Sequence, residues 1–103
     1  MIKDKTLSML GMAKKAGKTK DGSFLAERSI RSGSARLVIL AGDASPNTKK
    51  KFTDRCRYRG IPVREYSDMD SIGACLGSGP KSVVSIEDDG FARAVLNKIP
   101  DST

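Results

Sequence analysis

The stretch 35–41, Ala-Arg-Leu-Val-Ile-Leu-Ala, constrains this chain more than any other. From Leu37 onward it offers no polar residue to either side of an extended backbone, although alternate residues of a strand point to opposite faces. Such a strand is stable only where both faces are covered. It therefore belongs at the centre of a sheet, with helices packed above and below, and the rest of the chain must supply them.

It does so in alternation. The opening segment 3–17 places Leu7, Leu10 and Ala13 at helical spacing, with Met9 and Met12 beside them and Gly17 as a stop. Residues 18–22, Lys-Thr-Lys-Asp-Gly, read as a short extended piece ending in a turn, and a second helix covers 22–32. After the apolar strand, Ser45 is an N-cap and Pro46 a first helical residue, opening a helix that runs to Gly60. Phe52 and Cys56, four apart, can face inward from it, leaving Lys50 and Arg57 outward on a solvated basic helix. A strand within 61–66 follows, then a short helix within 67–77 capped by Ser67 or Asp68, a strand within 81–86 and a final helix within 87–99. This order predicts one α/β domain over residues 1–99, with 100–103 as a tail. Its expected form is a three-layer α/β/α sandwich around a central mixed, mainly parallel, four-stranded sheet. A chain of 103 residues leaves no room for a second core.

Charge points to the class of partner. Nineteen Lys and Arg against 12 Asp and Glu give a net charge of +7, which favours a polyanion over a neutral small molecule. Residues 1–36 hold nine basic and three acidic side chains, 49–64 hold seven and one, and 65–103 hold three and seven. One basic and one acidic surface are expected. The chain has no histidine, and Cys56 and Cys75 lack metal-ligand spacing, which argues against zinc and against histidine-based catalysis. No metal or cofactor is expected. No secretory apolar segment or bilayer-crossing run is recognisable, so a cytoplasmic protein with free thiols is expected.

The second helix carries the sharpest anomaly. At about 100° per residue, Leu25, Ala26, Ser29 and Ile30 share a mostly apolar face suited to packing, while Phe24, Glu27, Arg28 and Arg31 share the other. The aromatic ring thus lies among charges, in a stripe with Arg28 and Arg31 near the positive end of the helix. Two readings fit this stretch by itself: an anion-facing surface, or a Phe24 folded back into an N-terminal apolar contact beside solvated arginines. Lys14 and Lys15 at the end of the first helix, with Lys18 and Lys20 after it, add positive charge that the helix dipole also accounts for.

Sites for catalysis are weak. Asp43 and Ser45 follow the central strand at an edge where α/β proteins bind ligands, yet helix capping explains both, and Ser45 has no histidine to activate it. Neither a P-loop nor a dinucleotide glycine fingerprint occurs. Glu87, Asp88 and Asp89 could hold magnesium, but carboxylates before a helix also suit its dipole. The loop Gly77, Ser78, Gly79, Pro80 and Lys81 is a tight, nearly neutral turn. It either lets backbone approach a nucleotide closely or simply joins a helix to a strand.

Taken in order, the glycine-opened second helix with the strand and cap after it (22–48), the segment Lys-Lys-Lys-Phe-Thr-Asp-Arg-Cys-Arg-Tyr-Arg-Gly-Ile-Pro-Val (49–63), and Ile-Gly-Ala-Cys-Leu-Gly (72–77) carry a resemblance. The chain resembles the kink-turn RNA-binding ribosomal-protein superfamily of the L-seven-Ae and L-thirty-e type over nearly its whole length. Segments 10–18, 43–56 and 88–96 are similar to its small bacterial YlxQ-like members. The resemblance implies an α/β/α fold, a non-enzymatic role, and an RNA site built from the start of the second helix and the loop before the last strand. In the family's Gly-x-Asn-Glu-x-x-Lys pattern, Gly22 stands at the glycine and Arg28 at the basic position, with Ser23 and Glu27 between them; Phe24 and Leu25 replace the asparagine and glutamate. Arg28 can donate two hydrogen bonds to a guanine edge, whereas Phe24 offers stacking. Gly79, Pro80, Lys81 and Ser82 correspond to the loop that cradles extruded bases. Lys14, Lys15, Lys18, Lys20, Arg31 and Lys81 would neutralise phosphates. The implied partner is a structured RNA, kink-turn or ribosomal, in association with the ribosome, with neither membrane nor small-molecule substrate. The alternative is a protein-interaction module of the translation apparatus that keeps the fold without kink recognition.

Overall fold

In the computed structural model, which describes residues 4–99, helices and strands alternate as α1 Lys5–Lys15, β1 Thr19–Asp21, α2 Ser23–Arg31, β2 Leu37–Leu40, α3 Pro46–Arg59, β3 Val63–Glu65, α4 Met69–Cys75, β4 Val83–Ile86 and α5 Asp89–Lys98. The expected tail at 100–103 lies outside the described residues. Local caps set most helix starts: Asp4 accepts from the N–H groups of Thr6 and Leu7, Ser45 from Thr48, Asp68 from Ser71 and Asp88 from Phe91. α3 stops at Gly60, whose left-handed backbone closes it. α2 differs, because Gly22 is its N-cap and no side chain bonds there.

The strand order is β1-β4-β2-β3. β2 and β4 are interior and buried along their lengths, which places the 35–41 run at the centre of the sheet. β2 pairs with β3 in parallel, but β4 runs antiparallel to both β1 and β2. The expectation of a mainly parallel sheet is thus overturned, since two of the three pairings are antiparallel. β1, β2 and β3 share one direction, as alternation with helices suggests, and β4 alone reverses. The short α4 connection is the cause. Its seven residues span about 10 Å, and the Lys81 N–H donates to the Met69 carbonyl at 3.1 Å. The chain is thereby returned to the sheet end it had just left, and β4 enters from there.

Strand alternation divides the core. Leu37 and Ile39 pack with Leu10 of α1, Ile72 of α4 and Val95 of α5, whereas Val38 and Leu40 pack with Ala26 and Ile30 of α2 and Phe52 and Cys56 of α3. Helices therefore cover both faces of the sheet. Cys56 and Cys75 are unpaired thiols, and burial pushes each up to about 11. Within β4, Ser85 lies opposite Val38 and its hydroxyl meets that of Ser29 at 2.8 Å, a buried bond that pins α2 to the sheet. No helix among the described residues is long and apolar enough to cross a membrane.

The reversal of β4 decides where the loops meet. Its first residues lie beside the last residues of β1 and β2: the Gly22 N–H donates to the Val83 carbonyl and the Ala41 N–H to the Ser82 carbonyl, each at 2.9 Å. The Gly22 turn, the loop after β2 and the loop before β4 thus share one edge of the sheet.

Candidate nucleic-acid interface

Gly22 and the loop 77–82 are neighbours at that edge. The Lys81 Cδ lies 3.8 Å from the place a Cβ on Gly22 would occupy. Gly22 adopts φ 89° and ψ 168°, a region essentially restricted to glycine. The turn lets α2 begin at once after β1. With no capping side chain, the first-turn N–H groups of α2 are left for water or an anion.

The loop itself is seated on α4. The Ser78 N–H donates to the Gly73 carbonyl at 2.9 Å, and Lys81 is held by Met69. A Cβ at Gly73 would stand 2.1 Å from the Gly79 oxygen and 2.9 Å from the Pro80 Cα. Gly73 therefore shapes the site by admitting the loop backbone, a role that its place within the 72–77 segment of the sequence did not assign. The available signal was a glycine inside a helix, where only a close approach justifies its entropic cost.

Phe24 is 72% exposed, and the Arg28 guanidinium sits 5.9 Å from its ring centroid, within cation–π range. The ring is not folded back into an apolar contact. Leu25, expected on the packing face, is also exposed; Ala26, Ser29 and Ile30 form the buried stripe. Leu25 lies about 100° from Ala26 around the helix, at the margin, where it lines an open groove of about 300 Å³ with Lys20, Arg28 and Ser32. A second correction concerns charge. Arg28 and Arg31 occupy the last turn of α2, the negative end of its dipole, because the helix is only nine residues long. Of the stripe, Phe24 alone sits in the first turn, at the positive end behind Gly22 and Ser23.

Glu27 turns away from Phe24. Its carboxylate meets Lys51 at 3.0 Å, Arg55 at 3.3 Å and Arg31 at 3.5 Å. The hydrogen bond from the Lys51 ammonium, with the Arg55 and Arg31 charges behind it, holds this carboxyl below the usual glutamate range against an opposing desolvation. Glu27 thus joins α2 to α3 and draws Arg31 towards α3. Lys14 bonds Asp21 at 2.6 Å, and with Lys15 it borders a hollow beside Gly77. Lys18 is exposed, Lys20 shares the groove with Arg28, Gly79 and Pro80 are exposed, and Lys81 and Ser82 are half-buried. The structure therefore brings Gly22, at the start of α2, beside the loop 79–82, places Arg28 over Phe24 and Lys20 in a groove with Arg28, and sets Glu27 and Arg31 against a neighbouring helix.

Of the polar residues weighed for catalysis, Glu87 borders the groove of Lys20 and Arg28, and the others are committed to structure. Asp43 Oδ1 accepts from the Met69 N–H at 2.9 Å, Ser45 caps α3, Asp88 caps α5, and Asp89 pairs with Arg36 at 3.2 Å. Among the described residues no group of three or more His, Cys, Asp or Glu could hold a metal ion.

The model of the Ribosomal protein L7Ae/L30e/S12e/Gadd45 family matches residues 4–96. The chain belongs to this family. It is 37% identical over 89 residues to the RNA-binding protein YlxQ of Bacillus subtilis (strain 168), covering 86% of this chain and 89% of that protein. It is 27% identical to the large ribosomal subunit protein eL8 of Cenarchaeum symbiosum (strain A), covering 93% of this chain and 77% of that protein. Among solved structures, a Bacillus halodurans C protein of unknown function superposes with a TM-score of 0.90 at 32% identity, covering 93% of this chain and 97% of the other. The relatives within the family are RNA-binding and ribosomal proteins, which are not enzymes.

Proposed function

We propose that the protein binds a kink-turn-like structured RNA in the cytoplasm, in association with the ribosome or translation, through a single domain over residues 1–99. One observation carries the reading: an uncapped helix start opens behind Gly22, beside the Lys81 loop, with the Arg28 guanidinium over the ring of an exposed Phe24. A regular A-form helix hides its base edges in a deep, narrow groove, and a kink exposes them. The first-turn N–H groups of α2 then meet a phosphate, while Arg28 donates its fork to a guanine edge. Phe24, standing where the family carries asparagine, contributes a stacking face in place of a hydrogen bond. Lys18, Lys20 and Lys81 neutralise phosphates and add affinity without reading sequence. The names of the relatives support the partner class, since they are RNA-binding and ribosomal proteins.

The test is a titration at fixed salt with a kink-turn RNA and with a continuous duplex made from the same stems. The kinked form is expected to bind at least about tenfold more tightly, the equivalent of one good bidentate contact. Equal affinity for both would remove kink recognition and leave the interaction-module alternative standing.

A further inference from the structure

The basic charge of this protein is concentrated away from the α2 start. α3 carries six Lys and Arg (Lys49, Lys50, Lys51, Arg55, Arg57, Arg59) against the single acid Asp54, a surplus of five in a chain of net charge +7. Part of that helix faces α2. Lys51, Arg55 and Arg59 follow at four-residue intervals, a rise of about 6 Å each. A groove of about 360 Å³ lies between them and α2, lined by Glu27, Arg31, Asp54, Arg55, Tyr58 and Arg59.

The acids of this groove are already occupied. Glu27 is shared by three cations, and Asp54 pairs with Lys50 at 3.1 Å. Arg59 has no carboxylate partner among the described residues. Positive charge therefore remains in the groove, and Glu27 fixes Arg55 and Arg31 within it. Tyr58, beside Arg59 in the same lining, is 87% exposed. A merely solvated basic face gains nothing from an aromatic ring in water.

We propose that the α2–α3 groove is a second RNA contact, which grips an unpaired strand continuing from the α2 start, with Arg55 and Arg59 on its phosphates and Tyr58 stacked on a base. This rests on the reading of the protein as an RNA binder and extends it to another face. α2 is about 12 Å long from Ser23 to Arg31, so a strand leaving the Gly22 edge reaches the groove within a few nucleotides. The pairing of an exposed ring with flanking guanidinium groups is what sequence-tolerant single-strand binders use. An acidic peptide would match the charge but leave the ring without a partner.

The experiment compares two kinked RNAs, one with blunt ends and one carrying a single-stranded oligouridine extension, with the continuous duplex, free oligouridine and polyglutamate as further ligands, against wild type and the double variant Tyr58→Ala, Arg59→Gln. Both side chains are exposed, so the variant is expected to keep the wild-type thermal midpoint. Wild type should bind the extended RNA roughly fivefold or more tightly than the blunt one. The variant should lose that gain, keep wild-type affinity for the blunt kink, and show a salt slope smaller by roughly 0.7 on the extended RNA. The groove is refuted if the extension adds nothing to wild type, if the variant keeps the gain, if it weakens both RNAs equally, or if wild type binds polyglutamate and not oligouridine. A protein that fails to prefer the kink over duplex but binds free oligouridine through Tyr58 and Arg59 would sink the kink-turn reading while supporting the groove.

Discussion

Gly73→Ala isolates the seating of the loop on α4. Gly73 lies inside a helix, where alanine normally stabilises by about 1 kcal/mol. Here the added Cβ would sit 2.1 Å from the Gly79 oxygen, 2.6 Å from its carbonyl carbon and 2.9 Å from the Pro80 Cα, all of them backbone atoms. Contacts below 3.0 Å are essentially never made by a real Cβ, so the loop must withdraw by roughly 1 Å, a displacement of the size that overpacking produces. Such overpacking costs about 1–3 kcal/mol. The Ser78–Gly73 and Lys81–Met69 bonds contribute about 1 kcal/mol each and are strained or lost. Net of the helix gain, with both bonds lost, destabilisation is about 2–4 kcal/mol, a fall in thermal midpoint of roughly 8–20 °C for a domain this size. RNA affinity should drop about tenfold or more as Lys81 moves off the Gly22 edge. Gly79→Ala is the control for stability alone: a Cβ there meets nothing within 4 Å, and a near-neutral change in thermal midpoint is expected. Calorimetry and the kink titration together decide the matter. A Gly73→Ala protein as stable as wild type, with unchanged RNA affinity, would refute the argument.

Other expectations follow from single features. Gly22→Ala should destabilise by about 1–3 kcal/mol in urea unfolding, since φ 89° with ψ 168° strains any side chain. Arg28→Ala should weaken kinked RNA by about 1–3 kcal/mol with the fold intact, and Phe24→Ala should hurt kinked RNA more than duplex; equal losses on both RNAs would remove the stacking role. Ser29→Ala leaves the Ser85 hydroxyl buried and alone and should cost about 1–3 kcal/mol, with the Ser29→Ala, Ser85→Ala pair recovering part of it. The Glu27 carboxyl is held low, so its contribution is present above the unfolded glutamate pKa and is lost as pH falls through the lower folded value. Stability should therefore decline more steeply on acidification in wild type than in Glu27→Gln, and matching slopes would show that the three-cation cluster does not hold the helices.

Much of the fold was legible because its determinants are local. Ser45 with Pro46, Gly60 and Asp88 mark helix ends through bonds within four residues of themselves, and the 37–40 run announces a strand buried on both faces. Phe24 on the charged side of α2 was equally readable from helical angle, as was the nearness of the Gly22 turn and the 77–82 loop through the family resemblance. The margin of the buried stripe was not. Whether Leu25 is covered depends on what packs beside α2, and there the neighbour is an open groove. The assignment of Arg28 and Arg31 to the positive helix end failed for a simpler reason: in a helix read over 22–32, as in the observed Ser23–Arg31, both residues lie in the C-terminal half, towards the negative end of the dipole.

The sequence by itself determined the order and kind of elements, the apolar centre and a surplus of positive charge, because caps, periodicity and composition act between near neighbours along the chain. The tertiary structure decided that β4 enters antiparallel between β1 and β2, that Glu27 gathers Lys51, Arg55 and Arg31, and that Gly73 admits the backbone of Gly79. Strand direction and ion-pair partners are set by contacts between separate elements, whose geometry is fixed only when the chain packs. The candidate RNA surface exists because the chain turns back after α4 and brings the end of β1 beside the start of β4.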